Sequence, residues 1–284
     1  MSDLLVGYVI IAALAAGLFL STCWASRRLV AWQCDIAAVA VVVLLVAYIR
    51  TVWYDPRLAE LLPFSNLIVL GNWLPLFAAA LAGLVWRRTA GAVVRRTYTM
   101  AELALAGSLA AAFPLLGGVP QCGHRWDKLG TCLQTTQFTC SPAAAATLLR
   151  KYGIEATEQE MAELCLTRHG TSWQGLYRGL KLKTAGTRWD VQVCRCAPDE
   201  LERLGTSPLI LSVGLDGAAP ADTDFTREFG WVPGVSHSVV LENFSSNHCA
   251  NIADPAQEMS REQWDAATLR TLCRGYAFRL VPRR

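Results

Sequence analysis

Up to residue 118 the chain runs in long apolar stretches with short polar breaks; beyond it, apolar positions come in short groups at helical or two-residue spacing. A helix needs about 20 mainly apolar residues to cross the hydrocarbon core of a membrane. Four stretches meet that need: Leu4–Cys23, Leu29–Ile49, Leu67–Trp86 and Thr99–Gly118. The first has no basic start and another apolar stretch follows at once, so it reads as a span rather than a cleavable signal. Gln33 and Asp35 sit near one end of the second, and Asn72 and Pro75 interrupt the third. The fourth is the least apolar, holding Glu102 and Pro114; its alternative is a buried helix of a soluble unit.

The second half predicts an α+β domain. Pro142 in a first turn and Gly153 as a stop bound a helix over Ser141–Tyr152. Thr157-Glu-Gln-Glu160 has the form of a capping box and opens a helix that Gly170 ends. A third helix begins near Ser172 and carries Leu176 and Leu180. Trp189–Cys196 alternates as a strand, Pro198–Leu204 reads as a short acidic helix, and Pro208–Val213 is a continuous apolar strand. A Gly/Pro/Asp-rich loop over 214–235 has the length of a functional loop. Strands His237–Leu241 and Ala250–Ala253, a helix at Arg261–Leu272 and a strand at Tyr276–Val281 close the chain. Helices followed by a mostly antiparallel sheet define the class. The expected organisation is a transmembrane helical domain over 1–118 and a second domain over 119–284.

Charge adds orientation. The formal net charge of +3 gives no ground for a nucleic-acid partner, and the lipid bilayer is the expected one. Arg27 and Arg28 follow the first span, and Arg87, Arg88, Arg95 and Arg96 follow the third. The second loop has Arg50 and Arg57, offset by Asp55 and Glu60. By the positive-inside rule the Arg-rich loops are cytoplasmic, which makes the protein multi-pass in the inner (cytoplasmic) membrane with residues 119–284 outside.

Eight of the ten cysteines lie after residue 118, a density that suits an oxidising compartment. Cys122 and Cys132 are spaced for a loop-closing disulfide. Cys122-Gly-His124 with Cys132 fits no paired-ligand zinc spacing, and no metal is expected. Cys194 and Cys196 are not a redox Cys-x-x-Cys pair; on a strand they would share a face.

The stretch Gln134-Thr-Thr-Gln-Phe-Thr-Cys140-Ser-Pro142-Ala carries the chemistry. A thiol at a helix N-terminus is biased toward thiolate, and an imidazole can complete the activation. His237 heads an apolar strand and can act as base and acid. Asp254 ends the next strand and can orient the imidazole. Gln134 can give its amide to a developing oxyanion beside the Cys140 N–H. Each residue also has a plain reading: a buried structural cysteine, a strand histidine, an Asp-Pro turn and a surface glutamine. The joint order and spacing favour the chemical one.

That order resembles the bacteriocin-processing, double-glycine-leader cysteine peptidases, over about residues 132–284. Their Gln, five residues, Cys-Gly-Pro/Val-Ala stands here as Gln134, Cys140, Ser141, Pro142 and Ala143. Their His, then Asp-Pro some 16–17 positions on, stands here as His237 and Asp254-Pro255, and Gly170-Thr-Ser-Trp173 is similar to their segment before a third helix. The resemblance implies a papain-like fold with Cys140 as nucleophile, His237 as base, Asp254 as orienting acid and Gln134 as oxyanion donor, acting on a peptide or protein without a cofactor. Ser141 stands where those peptidases carry Gly, and no Gly-x-x-x-x-Gly-Lys-Ser/Thr phosphate loop is present, so an ATP-driven transporter is not expected. Two other functions use the same groove: transfer of the acyl group to an amine, and peptide binding without catalysis.

Overall fold

The computed structural model describes residues 2–88, 93–195, 198–204, 207–218, 223–227, 230–256 and 261–283. Cys196, expected beside Cys194, lies outside them. The chain divides into two units, Met1–Leu116 and Gly117–Arg284.

The first unit is helical: α1 (Ser2–Ala25), α2 (Ala31–Tyr48), α3 (Arg57–Leu61), α4 (Leu67–Leu70), α5 (Leu74–Arg88) and α6 (Val93–Ala112). Four of its helical stretches, Ser2–Arg28, Ala31–Trp53, Leu67–Trp86 and Val93–Leu115, are long and apolar enough to cross a membrane. The fourth lies several residues upstream of the expected Thr99–Gly118, because Pro114 stands in the 3-10 turn Phe113–Leu115 that follows α6. Leu5, Leu14, Leu20, Val39, Val43 and Leu44 face outward, as apolar side chains do when lipid is the solvent.

The third stretch breaks between α4 and α5, and its freed polar groups find partners inside the unit. The Asn72 amide donates to Ala110 O at 2.8 Å, and the Tyr48 hydroxyl donates to Gly71 O. Such repair is what a break in an apolar environment requires. Asp35 is no buried acid: it pairs with Arg88 at 2.9 Å, both side chains about half exposed.

The second unit holds α7 (Cys140–Lys151), α8 (Glu158–Leu164), α9 (Trp173–Lys183), β1 (Trp189–Arg195), α10 (Pro198–Leu204), β2 (Leu209–Val213), α11 (Asp224–Arg227), β3 (His237–Phe244), β4 (Ala250–Ala253), β5 (Arg261–Trp264), α12 (Ala266–Leu272) and β6 (Cys273–Pro282). The strands form one antiparallel sheet in the order β1-β6-β2-β3-β4-β5. Alternation decides its faces. Leu209, Leu211, Val213, Val239 and Leu241 join Leu201, Leu269 and Leu272 of α10 and α12 in one core. Ile210 and Val240 point the other way and are fully buried, and α7 packs against β2 and β3. The run Ala143–Ala146 is fully buried, and its small side chains keep that turn of α7 narrow on every side.

Two elements differ from the sequence expectation. The segment Arg261–Leu272 is not one helix: Arg261–Trp264 pairs with β4, and Asp265 then caps α12 by accepting from the Thr268 N–H at 2.8 Å. Buried Trp264 anchors that strand among the core residues. The helix from Thr157 ends at Leu164 rather than running to Gly170, with Leu166 at φ +56° turning the chain. The turn brings Cys165 against α9, where a Cβ on Gly175 would fall 2.3 Å from Cys165 O. Only a glycine lets the two helices come that close.

Candidate active site

Three of the four predicted site residues, Cys140, His237 and Asp254, sit where an element begins or ends. Cys140 is the first residue of α7, after Thr139, whose carbonyl accepts from Ala143 N at 3.0 Å. His237 is the first residue of β3, and Asp254 follows the last residue of β4. Pairing of Val240 with Ala253 places the start of β3 beside the end of β4. His237 and Asp254, seventeen positions apart, therefore meet: His237 Nε2 lies 2.7 Å from Asp254 Oδ1. Gln134 is tied to the same place, its N–H donating to Pro255 O at 2.8 Å.

Asp254 is fully buried and kept as an acceptor. Oδ1 also accepts from the Ala256 N–H at 2.8 Å, and Oδ2 accepts from Trp231 Nε1 at 3.1 Å. Trp231 also lays its ring against His237, with centroids 4.8 Å apart. It packs with Phe225 and Trp264 in the core on that side of the sheet. Sequence reading did not single out Trp231. It lies in the Gly/Pro/Asp-rich loop, where no periodicity marks a buried position; a Trp a few residues before a candidate base was the one available signal.

The electrostatics favour an ion pair. Burial opposes a charged sulfur at Cys140, yet the hydrogen bond and charge of His237, the Ser238 backbone and the Ser141 side chain together hold the thiol below its ordinary value. Burial also opposes a charged imidazole at His237, but the Asp254 charge and hydrogen bond, with those of Cys140, hold it above its ordinary value. A thiolate beside an imidazolium is the state these contacts support. Elsewhere the thiols behave oppositely. Burial, with Glu158 nearby, pushes Cys122 up to about 11 and Cys132 up to about 12. The expected Cys122–Cys132 bridge is not formed; both are free thiols.

A cleft of about 450 Å³ opens over Cys140, His237 and Gln134. One wall is apolar, where the Trp173 and Tyr276 rings stack at 6.3 Å above Leu176 and Phe278. Among the described residues, two buried polar atoms of lining side chains, Gln134 Oε1 and Trp173 Nε1, have no hydrogen-bond partner.

No family model matches the chain. A curated relative, an uncharacterized protein of Methanothermobacter thermautotrophicus (strain Delta H), is 47% identical over 45 residues, 16% of this chain. That match spans 32% of the relative's length. Solved structures similar to this chain include peptidase domains. One is a double glycine motif protease from an AMS/PCAT transporter in complex with the leader peptide, 18% identical with a TM-score of 0.40, covering 55% of this chain and 97% of that one. Another is the peptidase domain of Streptococcus ComA, a bi-functional ABC transporter of a quorum sensing pathway, 20% identical with a TM-score of 0.41, covering 53% and 96%. A third is the N-terminal peptidase C39 like domain of the toxin secretion ATP-binding protein from Vibrio parahaemolyticus, 11% identical with a TM-score of 0.37, covering 52% and 100%.

Proposed function

We propose that residues 117–284 are a cysteine peptidase acting on a peptide or protein, anchored by the helical unit. The observation that carries this reading is the buried pair of His237 and Asp254 at 2.7 Å, in a cleft that Cys140 also lines, where the charge of His237 helps hold the Cys140 thiol below its ordinary value. The Cys140 thiolate attacks the scissile carbonyl. The Cys140 N–H and the Gln134 amide hold the oxyanion. As the tetrahedral intermediate collapses, His237 gives its proton to the leaving amine, and a thioester remains on Cys140. His237 then takes a proton from water, and the hydroxide releases the acyl group. Asp254 accepts from the imidazole and fixes its orientation. The Trp173–Tyr276 wall receives apolar side chains of the substrate.

By the positive-inside rule, the arginines of the Arg27–Arg28 and Arg95–Arg96 segments support a reading in which those segments are cytoplasmic, the helices cross the inner membrane, and the peptidase lies on the outer side. A membrane-associated or exported peptide would meet the cleft there.

The test is cleavage of quenched fluorescent peptides by the full chain in detergent, with Cys140→Ala beside it. Cleavage lost in Cys140→Ala, with uncut peptide retained on the folded variant, is the expected result. Unchanged turnover in Cys140→Ala would remove the assignment. Products formed with and without added amine separate hydrolysis from acyl transfer.

A further inference from the structure

The hydroxyls of Ser141 and Ser238 lie 2.8 Å apart in a buried contact between residues 97 positions apart. Ser141 directly follows Cys140, and Ser238 directly follows His237. Each is only 7% exposed. The contact therefore joins the first turn of α7 to the start of β3, the two elements that carry the thiol and the imidazole. Two buried hydroxyls cost desolvation free energy that two methyl groups would not, so packing alone does not call for them.

We propose, resting on the reading of Cys140 and His237 above, that Ser141 and Ser238 form a hydroxyl clamp that holds the nucleophile against its base and turns the Ser141 hydroxyl toward the Cys140 sulfur. In a contact between two hydroxyls only one proton lies between them. With Ser238 donating to Ser141 Oγ, the Ser141 proton is released to point at the thiolate. Ser141 already counts among the side chains whose hydrogen bonds favour a charged Cys140. Ser238 acts through Ser141 as a positioning residue. The other ionisable groups around the sulfur are His237 on β3, Asp254 behind it, and His169 and Tyr276, which also line the cleft. None of them changes in the variants below.

The experiment is the pH dependence of Cys140 alkylation by iodoacetamide in the full chain in detergent, read on the Cys140 peptide by mass spectrometry. It reports the thiolate without needing a substrate. A hydrogen bond to a charged group supports a shift of about one pH unit, or about tenfold less thiolate below the midpoint. Ser141→Ala, Ser141→Gly and Ser238→Ala are each expected to raise the midpoint by about that much, with thermal unfolding showing that they remain folded. Ser141→Ala combined with Ser238→Ala is expected to shift it no further than the larger single change, as coupled groups do. Unmoved midpoints in the folded variants, or shifts that simply add, would overturn the clamp and leave the peptidase reading standing. An unaltered protein whose Cys140 alkylates as an ordinary thiol would overturn both.

Discussion

Asp254→Asn isolates the charge behind His237. The carboxylate is fully buried and accepts from His237 Nε2 at 2.7 Å, Ala256 N at 2.8 Å and Trp231 Nε1 at 3.1 Å. An amide keeps the shape but has one accepting oxygen, so its NH₂ must face at least one of those donors. The imidazolium also loses its counter-charge. A hydrogen bond to a charged group contributes about 1.5–3 kcal/mol, and about 1.4 kcal/mol is tenfold in rate. The expected loss in kcat/KM is therefore about 10- to 150-fold. The pH profile supplies the second reading. The Asp254 charge and hydrogen bond are the foremost forces raising His237 to about 10. Activity should rise as Cys140 ionises and fall as pH passes through the His237 value, so Asp254→Asn should move the alkaline limb toward neutral pH. Peptide cleavage across pH 5–11, on unaltered and variant protein, reads both effects. An alkaline limb that stays in place, with kcat/KM intact, would refute the role given to Asp254.

Gln134→Ala should lower kcat by about 10²–10³ with little change in KM, as loss of an oxyanion donor does; steady-state kinetics check it. Trp231→Phe keeps the ring against His237 but removes the Nε1 donor to buried Asp254 Oδ2, and should destabilise the second unit by about 1–3 kcal/mol in thermal or urea unfolding. Gly175→Ala would place a Cβ 2.3 Å from Cys165 O and should cost about 1–3 kcal/mol by the same measurement. His237 is raised to about 10 and Cys140 lowered in the folded state, so the extra proton that His237 holds is offset by the one that Cys140 gives up until a free thiol ionises near pH 9; urea midpoints should therefore fall chiefly as pH rises from about 9 through about 10.

Much of this was legible because the deciding residues are local signals. Pro142, Gly153 and the Ala run mark α7, and Thr157 caps α8 by accepting from Glu160 N at 3.1 Å. The continuous apolar run to Val213 and the apolar residues after His237 mark β2 and β3. Arg261–Trp264 was misread because its only burial signal is Trp264, whose partners Trp231 and Phe225 lie more than thirty positions away. The end of α8 was equally hidden, since it depends on Gly175 and Gly179 of α9 closing on Cys165. Trp231 and the Ser141–Ser238 contact are long-range pairings, and a one-dimensional pattern carries no register between distant segments.

The central claim is that the sulfur of Cys140 is the nucleophile made reactive by His237. It is tested most directly by treating the full chain near neutral pH with a peptidyl chloromethyl ketone and mapping the label by mass spectrometry. One label on Cys140 is expected, with its rate falling sharply in His237→Ala. Labelling spread over other cysteines, or equally fast labelling of Cys140 without the imidazole, would contradict it.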